Sequence, residues 1–264
     1  MDMIQHNREA WNRLSDAGIL WGVPVDAETI AKARNGIWQV HLAGQQPVPH
    51  TWFGNSGDIK EKDILCLASG GGQQAPILAA AGANVVSLEL SDSMLAKDRS
   101  VADKNNLILR CEQGSMTDLS RFPDSSFDII FLPVALTYIP DVHVVWRESA
   151  RVLRAGGRLL AGMINPLVNL FEENEGEDGV GLQVINTLPF AEVEALPKIE
   201  KDAAIARGMS FVWSHTLEDL IGGQLSAGFR ILEFTEARRS DPRAPSINRF
   251  TSTYFMTAAE AKDC

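Results

Sequence analysis

Cysteine is scarce in this chain: Cys66, Cys111 and Cys264 are the full set in 264 residues. Three is too few for a disulfide framework, and the odd count leaves one over. Cys66 lies in an apolar run and Cys264 ends the sequence, so both read as reduced thiols of a cytoplasmic protein. No apolar stretch approaches the roughly 18 uninterrupted residues that a membrane span needs. The opening MDMIQHNREAW lacks the apolar core of a secretory signal. Basic charge is short as well. Lys and Arg total 24 against 34 Asp and Glu, for a formal net charge of -10. A surface that grips phosphates wants the opposite sign, so no nucleic-acid partner is expected. No Cys/His or His/Asp cluster has metal-ligand spacing, and no metal is expected. Internal repeats and low-complexity tracts are missing too.

What the chain does have is apolar mass. Hydrophobic residues make up 45%, enough for one sizeable core or a core with a lobe attached. Charged residues, at 22%, exclude a disordered polyelectrolyte or a coiled coil. Residues 1–60 hold Trp11, Trp21, Trp38 and Trp52. Their pattern predicts a helix through HNREAWNRLSDAG that stops at Gly18. A second follows Pro24, capped by Asp26 and ending near Gly36. AGQQPVPHTWFGNSGD reads as loop.

From 63 to 164, short apolar runs alternate with helical segments. DILCLAS, NVVSLEL, LILRCEQ, FDIIFLP and GRLLAGMI read as strands. SDSMLAKDRSVADKNN and PDVHVVWRESARVLRAGG read as helices, the latter ending in Arg151 and Arg154 before Gly156. This alternation predicts an α/β fold, a parallel sheet with helices on both faces. Residues 171–214 break the rhythm. They open on FEENEGEDGV, with five acids and no base, and read as an insertion or lid whose acids form a solvated loop. A helix in SHTLEDLIGGQLSAGF and strands in RILEFTEA and STYFMTA complete the pattern. The expected organisation is a helical, substrate-side extension over 1–60 and a main domain over 61–264, with the insertion at 171–215.

The most informative stretch is DILCLASGGGQQAPILAAAGANVVSLELSDSML. A buried strand ends at Ala68-Ser69, then Gly70, Gly71 and Gly72 precede a helix. Glycine serves where the backbone turns sharply or a ligand touches it, and the amides at a helix start favour an anion. A second strand delivers Glu89 at its C-terminal end, 19 residues after Gly70. A carboxylate there can accept hydrogen bonds from both hydroxyls of a ribose. Together these residues describe a site for an adenosine-containing cofactor.

Five ordered blocks resemble the class I S-adenosylmethionine-dependent methyltransferases, in particular their small-molecule branch. They are ASGGGQ, VVSLELSDSML, QGSMTDL, FPDSSFDIIFLPVALTYI and WRESARVLRAGGRLLAG. The resemblance spans about residues 60–258. It implies a Rossmann-like three-layer sandwich, with a seven-stranded, mostly parallel sheet whose last strand is antiparallel. RILEFTEA and STYFMTA are placed as the closing pair. It also implies methyl transfer from S-adenosylmethionine, leaving S-adenosylhomocysteine, to a small-molecule acceptor at O, N or C. Ala68, Ser69, Gly70 and Gly72, with Gln73 in the same loop, would hold the methionine moiety. Glu89 would hold the ribose. Leu90 and Met94 would pack on the adenine, with Gly114, Ser115 and Met116 at its edge. Leu132, Pro133 and Val134 would line the floor beside the sulfonium.

There are departures from the family pattern. Cys66 stands where an acid often ends the first strand, Ala68 replaces the first glycine, and Ser115 replaces the acid that commonly contacts the adenine amino group. LPVALTY lacks the Asp/Asn-Pro-Pro-aromatic signature of methyltransferases acting on nucleobases. Transfer from a sulfonium needs mainly alignment and exclusion of water, and a base only when the acceptor arrives protonated. Tyr138 is the candidate catalytic residue, against a reading in which it only packs over the cofactor. His50 sits in a loop that could cover the site, His143 reads as surface or core, and His215 as part of a helix start. Trp11 and Trp38 read as packing, Trp52 and Trp21 as an aromatic wall for the acceptor. Two alternatives stay open. Gly70-x-Gly72-x-x-Ala75 with Glu89 behind it also fits an NAD(P)-dependent oxidoreductase. The domain could also bind S-adenosylmethionine without catalysis.

Overall fold

Alternate residues of Asp63–Leu67 point to opposite sides of a sheet, and both sides are covered. Ile64 and Cys66 join one core with Phe131 and Met256, while Leu65 and Leu67 join another with Ile130 and Trp146. Burial on both faces is why the strand sequences are continuous apolar runs. The computed structural model describes residues 2–54, 56–176, 179–239 and 246–262. Cys264, read above as a thiol, lies outside the described residues, as do Glu177 and Asp178 of the acidic run.

The chain opens with α1 (Met3–Asp16) and α2 (Ala27–Arg34). Asp2 caps α1 by accepting from the amides of Ile4 and Gln5, and Asp26 caps α2 by accepting from Thr29. The central alternation follows: β1 (Asp63–Leu67), α3 (Gln74–Ala80), β2 (Asn84–Glu89), α4 (Asp92–Asn105), β3 (Leu109–Gln113), β4 (Phe127–Leu132), α5 (His143–Val152) and β5 (Leu153–Ile164). The insertion contributes β6 (Phe171–Gly176), β7 (Gly179–Val184), α6 (Glu192–Ala195) and α7 (Lys198–Arg207). The rest is α8 (Gly223–Ser226), β8 (Phe229–Ala237) and β9 (Tyr254–Ala261).

Seven strands form one sheet in the order β3-β2-β1-β4-β5-β9-β8. β9 runs antiparallel to both β5 and β8, and the neighbouring pairs from β3 to β5 are parallel. This is the Rossmann-like architecture with a reversed last strand. Among the described residues, no helix is long and apolar enough to cross a membrane.

Two local expectations are corrected. α5 ends at Val152, so Arg154 is not in its last turn. Arg154 instead pairs with Asp63 and Asp128, which tie the starts of β1 and β4 together. The acidic run is not simply a loop: Phe171–Gly176 and Gly179–Val184 pair as an antiparallel hairpin apart from the main sheet. Leu182, Gln183 and Val184 alternate as a strand does, but the dense acids before them obscured the hairpin.

Parallel strands bring the turns after β1, β2, β3 and β4 to one edge, where open α/β sheets hold ligands. The N-terminal helix and the end of the insertion meet over that edge. Asn7 of α1 donates from Nδ2 to the carbonyl oxygens of Tyr138 and Phe211, and its Oδ1 accepts from the Phe211 amide. His6 contacts the Met209 carbonyl at 2.7 Å, and Arg13 donates to the Gly208 carbonyl. α1 and residues 208–211 are thus clasped to one another and to the turn after β4.

Candidate active site

The glycine loop is shaped by neighbours on every side. A Cβ on Gly70 would lie 2.6 Å from Glu89 Cγ, so no side chain fits. Gly71 takes φ +118°, and a Cβ there would lie 2.4 Å from the Trp21 carbonyl oxygen. The amides that the sequence offered to a ligand already have acceptors. Gly70 N–H donates to Glu89 Oε2 at 3.1 Å, Gly71 N–H to the Met94 carbonyl at 3.0 Å, and Gly72 N–H to Asp98 Oδ1 at 2.6 Å. Ala68 holds the left-handed conformation, φ +47°, that a glycine would take at no cost.

Glu89 ends β2 as a buried carboxyl. Its Oε1 accepts from the Ser91 amide at 2.8 Å and its Oε2 from Gly70. Burial raises its pKa above the ordinary carboxyl value, against the downward pull of the Ser91, Gly70 and Leu90 amides. Each oxygen keeps a lone pair for a further donor. Ser115 Oγ accepts from the Thr117 amide and lies 2.7 Å from Thr117 Oγ1.

These groups border a cavity of about 480 Å³. One end is lined by Ala68, Ser69, Gly70, Gln73, Glu89, Leu90, Met94, Gly114, Ser115, Met116, Pro133 and Val134. The lining also includes Asn7, Trp11, Trp21, His41, Tyr138, Arg239 and Tyr254. Trp11 meets Tyr138 edge-on at 5.1 Å, and the Arg239 guanidinium lies 5.6 Å from the Trp21 ring centroid. Residues 65–161 match the family model of a methyltransferase domain. A Bacillus subtilis (strain 168) protein, uncharacterized methyltransferase YbaJ, is 39% identical over 255 residues, 97% of each chain.

The chain belongs to the class I S-adenosylmethionine-dependent methyltransferases.

Solved structures share the fold. An S-adenosylmethionine-dependent methyltransferase from Mesorhizobium loti superposes with TM-score 0.60 at 20% identity, over 77% of this chain and 92% of that one. A Burkholderia thailandensis 1,6-didemethyltoxoflavin-N1-methyltransferase, solved with 1,6-didemethyltoxoflavin and S-adenosylhomocysteine bound, gives TM-score 0.58 at 14% identity. That match covers 98% of this chain and 88% of the other. Membership of the methyltransferases replaces the dinucleotide-dehydrogenase alternative.

The residues of this methyltransferase fit the family's cofactor. Ser69 lines the cavity, and its buried Oγ has no hydrogen-bond partner within the protein, a donor and acceptor left over beside the site. The Glu89 carboxylate is held by two backbone amides in position for a sugar. When bound, the cofactor supplies a methyl group already activated on a sulfonium. Among the described residues, no group of three or more His, Cys, Asp or Glu could hold a metal ion.

Of the methyltransferase residues expected from sequence, Gly72 and Leu132 stand outside the cavity lining. Gly72 is turned to Asp98, and Leu132 is fully buried in β4. The others named above, with Tyr138, border the cavity. Burial, then the neighbouring Tyr254, pushes the Tyr138 phenol up to about 12, with Arg239 pulling the other way. A phenol so protonated donates a hydrogen bond and does not take a proton at neutral pH.

The remaining expected histidines lie elsewhere. His50 stacks on Trp38 at 3.9 Å, His143 contacts Asp219, and buried His215 contacts the Leu136 carbonyl. Thr216, not His215, caps the helical turn by accepting from the Asp219 amide. The two aromatic roles are exchanged: Trp52 is core, and Trp11 lines the cavity.

Sequence reasoning missed His41, Asn7, Arg239 and Tyr254. One signal was available for the last, because the chain has only two tyrosines and both border this cavity. Burial lowers the His41 pKa, against a hydrogen bond to the Gln45 backbone, which favours the neutral imidazole.

Proposed function

We propose that this methyltransferase acts on a small, planar acceptor that arrives carrying an O–H or N–H, and that His41 takes its proton. The observation that carries this reading is the far end of the cavity. His41, whose pKa burial lowers toward the neutral imidazole, lines the same cavity as Trp11, Trp21, Tyr138 and Tyr254. Aromatic walls match a flat apolar ligand, and a few convergent polar groups fix its orientation. A neutral imidazole with one nitrogen committed to a backbone carbonyl presents the other as an acceptor. Tyr138, protonated, holds the acceptor by a hydrogen bond and serves as a positioning group. The Burkholderia neighbour, an N1-methyltransferase by name, is a precedent for a compact heteroaromatic acceptor on this fold.

In this reading Ala68, Ser69, Gly70 and Gln73 face the methionine moiety, and Glu89 receives the ribose hydroxyls. Leu90, Met94, Gly114, Ser115 and Met116 surround the adenine, with Pro133 and Val134 beneath the sulfonium. Residues 1–60 and the insertion over 171–215 form the acceptor-side cover that excludes water. The enzyme works in the cytoplasm on a small molecule, without a metal or a nucleic-acid partner.

The test has two stages. S-adenosylhomocysteine is titrated by calorimetry into wild type and Glu89→Ala, and binding by wild type with loss in the variant is expected. Transfer of labelled methyl is then measured on phenols and nitrogen heterocycles from pH 6 to 9. His41→Ala should lose the neutral-pH limb and recover rate as the acceptor ionises by itself. Absence of cofactor binding would sink the whole reading, and identical pH profiles would sink the part given to His41.

A further inference from the structure

Behind the glycine loop, a carboxyl group is sealed into the protein. Asp98 lies midway along α4 with no exposed surface. Its neighbours on the buried stripe of that helix are Met94, Leu95, Val101 and Ala102, so an apolar residue would be the default there. A carboxyl group in such a place is costly unless each oxygen has a specific partner. Both oxygens do. Oδ1 accepts from the Gly72 amide at 2.6 Å, and Oδ2 accepts from Ser87 Oγ at 2.6 Å. Burial still pushes the carboxyl up to about 7, with the Ser87 and Gly72 donors pulling it down.

Ser87 ties this carboxyl to the first strand. On β2 it is the register partner of Cys66 on β1. Cys66 is a fully buried thiol. The thiol and the carboxyl are close enough for Asp98 to help raise the Cys66 pKa. α4 therefore grips the loop twice in succession: the Met94 carbonyl takes the Gly71 amide, and Asp98 takes the Gly72 amide. With Glu89 on Gly70, three consecutive amides are each anchored by a different group.

We infer that Asp98 is a positioning residue for the cofactor: it sets the glycine-loop conformation from α4. It touches no ligand itself, since the loop stands between it and the cavity. It acts through Gly72, whose fixed position orients Ser69 and Gly70 toward the cofactor. The inference rests on the cofactor reading of the cavity given above.

The experiment uses the full chain, with S-adenosylhomocysteine as the probe. Affinity is read by calorimetry, and amide exchange at Gly72 is read by NMR on the unliganded protein. Asp98→Ala should weaken binding by about tenfold or more, the scale of one lost charge-assisted hydrogen bond, and should expose the Gly72 amide. Asp98→Asn keeps an acceptor for that amide, so affinity should stay within about threefold and protection should persist. Should Asp98→Ala not fold, Asp98→Ser, too short to reach Gly72, takes its place. A lowered melting temperature with unchanged affinity and unchanged Gly72 protection overturns the inference and leaves Asp98 a stability residue. If wild type itself binds no S-adenosylhomocysteine, the cofactor reading fails, and Gly72 exchange still decides whether Asp98 holds the loop.

Discussion

The two ends of the cavity are assembled in different ways. At the cofactor end, Ala68 and Pro133 directly follow β1 and β4, Glu89 ends β2, and Ser115 lies two residues past β3. Parallel pairing in register carries those turns to a common edge, so the site arises with the sheet itself. At the far end, Asn7, Trp21, His41, Tyr138, Arg239 and Tyr254 come from a helix, four separate loops or turns and the start of the antiparallel edge. No periodic element brings them together. They meet because α1 is clasped to residues 208–211 and to the turn after β4. In the proposed reading, cofactor recognition belongs to the architecture, and acceptor recognition to a set of long-range contacts that can change without disturbing the sheet.

If that division is sound, the ends should respond separately. Glu89→Ala should give the largest effect, a loss of S-adenosylhomocysteine affinity of about 100-fold, the scale of two hydrogen bonds to a charged group. Tyr254→Phe at the far end should leave that affinity within about twofold, since only a hydroxyl remote from the sugar is removed. Calorimetry on both variants decides, and comparable losses would erase the distinction. Gly71→Ala tests the seam between the ends. Its backbone at φ +118° and the Trp21 carbonyl 2.4 Å from the new Cβ leave no room. Denaturant unfolding should show about 2–3 kcal/mol lost. Trp21 fluorescence should shift in the same variant, because the segment over the loop must move.

The same division explains how much could be read from sequence. β1 to β5 were legible because burial on both faces makes each strand a continuous apolar run. Glu89 was legible because its distance from Gly70 is fixed by one helix between two paired strands. Trp11 and Trp52 were not, since a tryptophan packs equally well into a core or a cavity wall, and the choice lies in contacts such as Asn7 with Phe211. His41 carries no local signal: its role depends on where an irregular loop crosses the sheet edge. Arg154 was misplaced because a basic residue before Gly-Gly suits a helix end as well as an ion pair across strands. The loop at 68–72 was recognised, but its amides were assigned to the ligand, when Glu89, Met94 and Asp98 already hold three of them.

Proton linkage separates the ends once more. Burial lifts the pKa of Asp98, behind the cofactor loop, from the ordinary 3.8 to about 7 in the folded protein. Between those values the folded protein keeps a proton that the unfolded chain has released. The stability this group confers is full below the lower value and is lost as pH rises through the upper one. Wild type should therefore lose about 2 kcal/mol between pH 5 and 7 from this group, and Asp98→Asn should flatten the slope. His41 at the far end runs the other way. Its pKa is lowered from 6.5, so its contribution is present above that value and is lost as pH falls. Unfolding curves from pH 5 to 8 on wild type, Asp98→Asn and His41→Gln test both signs, and a slope unchanged by Asp98→Asn would contradict the assignment.

The smallest effect sharpens the comparison most, because it asks whether the cofactor end is optimised. Ala68 stands in a left-handed conformation at φ +47°, where a Cβ crowds its own backbone. Replacing it by glycine relieves that strain but enlarges the unfolded ensemble, two terms of opposite sign. The balance should favour Ala68→Gly by about 0.5 kcal/mol, a small upward shift in melting temperature. Affinity for S-adenosylhomocysteine should move oppositely and slightly, because Ala68 lines the cavity and its methyl stiffens the turn into Ser69. A variant that gained both stability and affinity would show that Ala68 does nothing for the cofactor. A variant that lost both would show the methyl to be a packing element of the loop, and the strain at this turn to be a cost that ligand contact offsets.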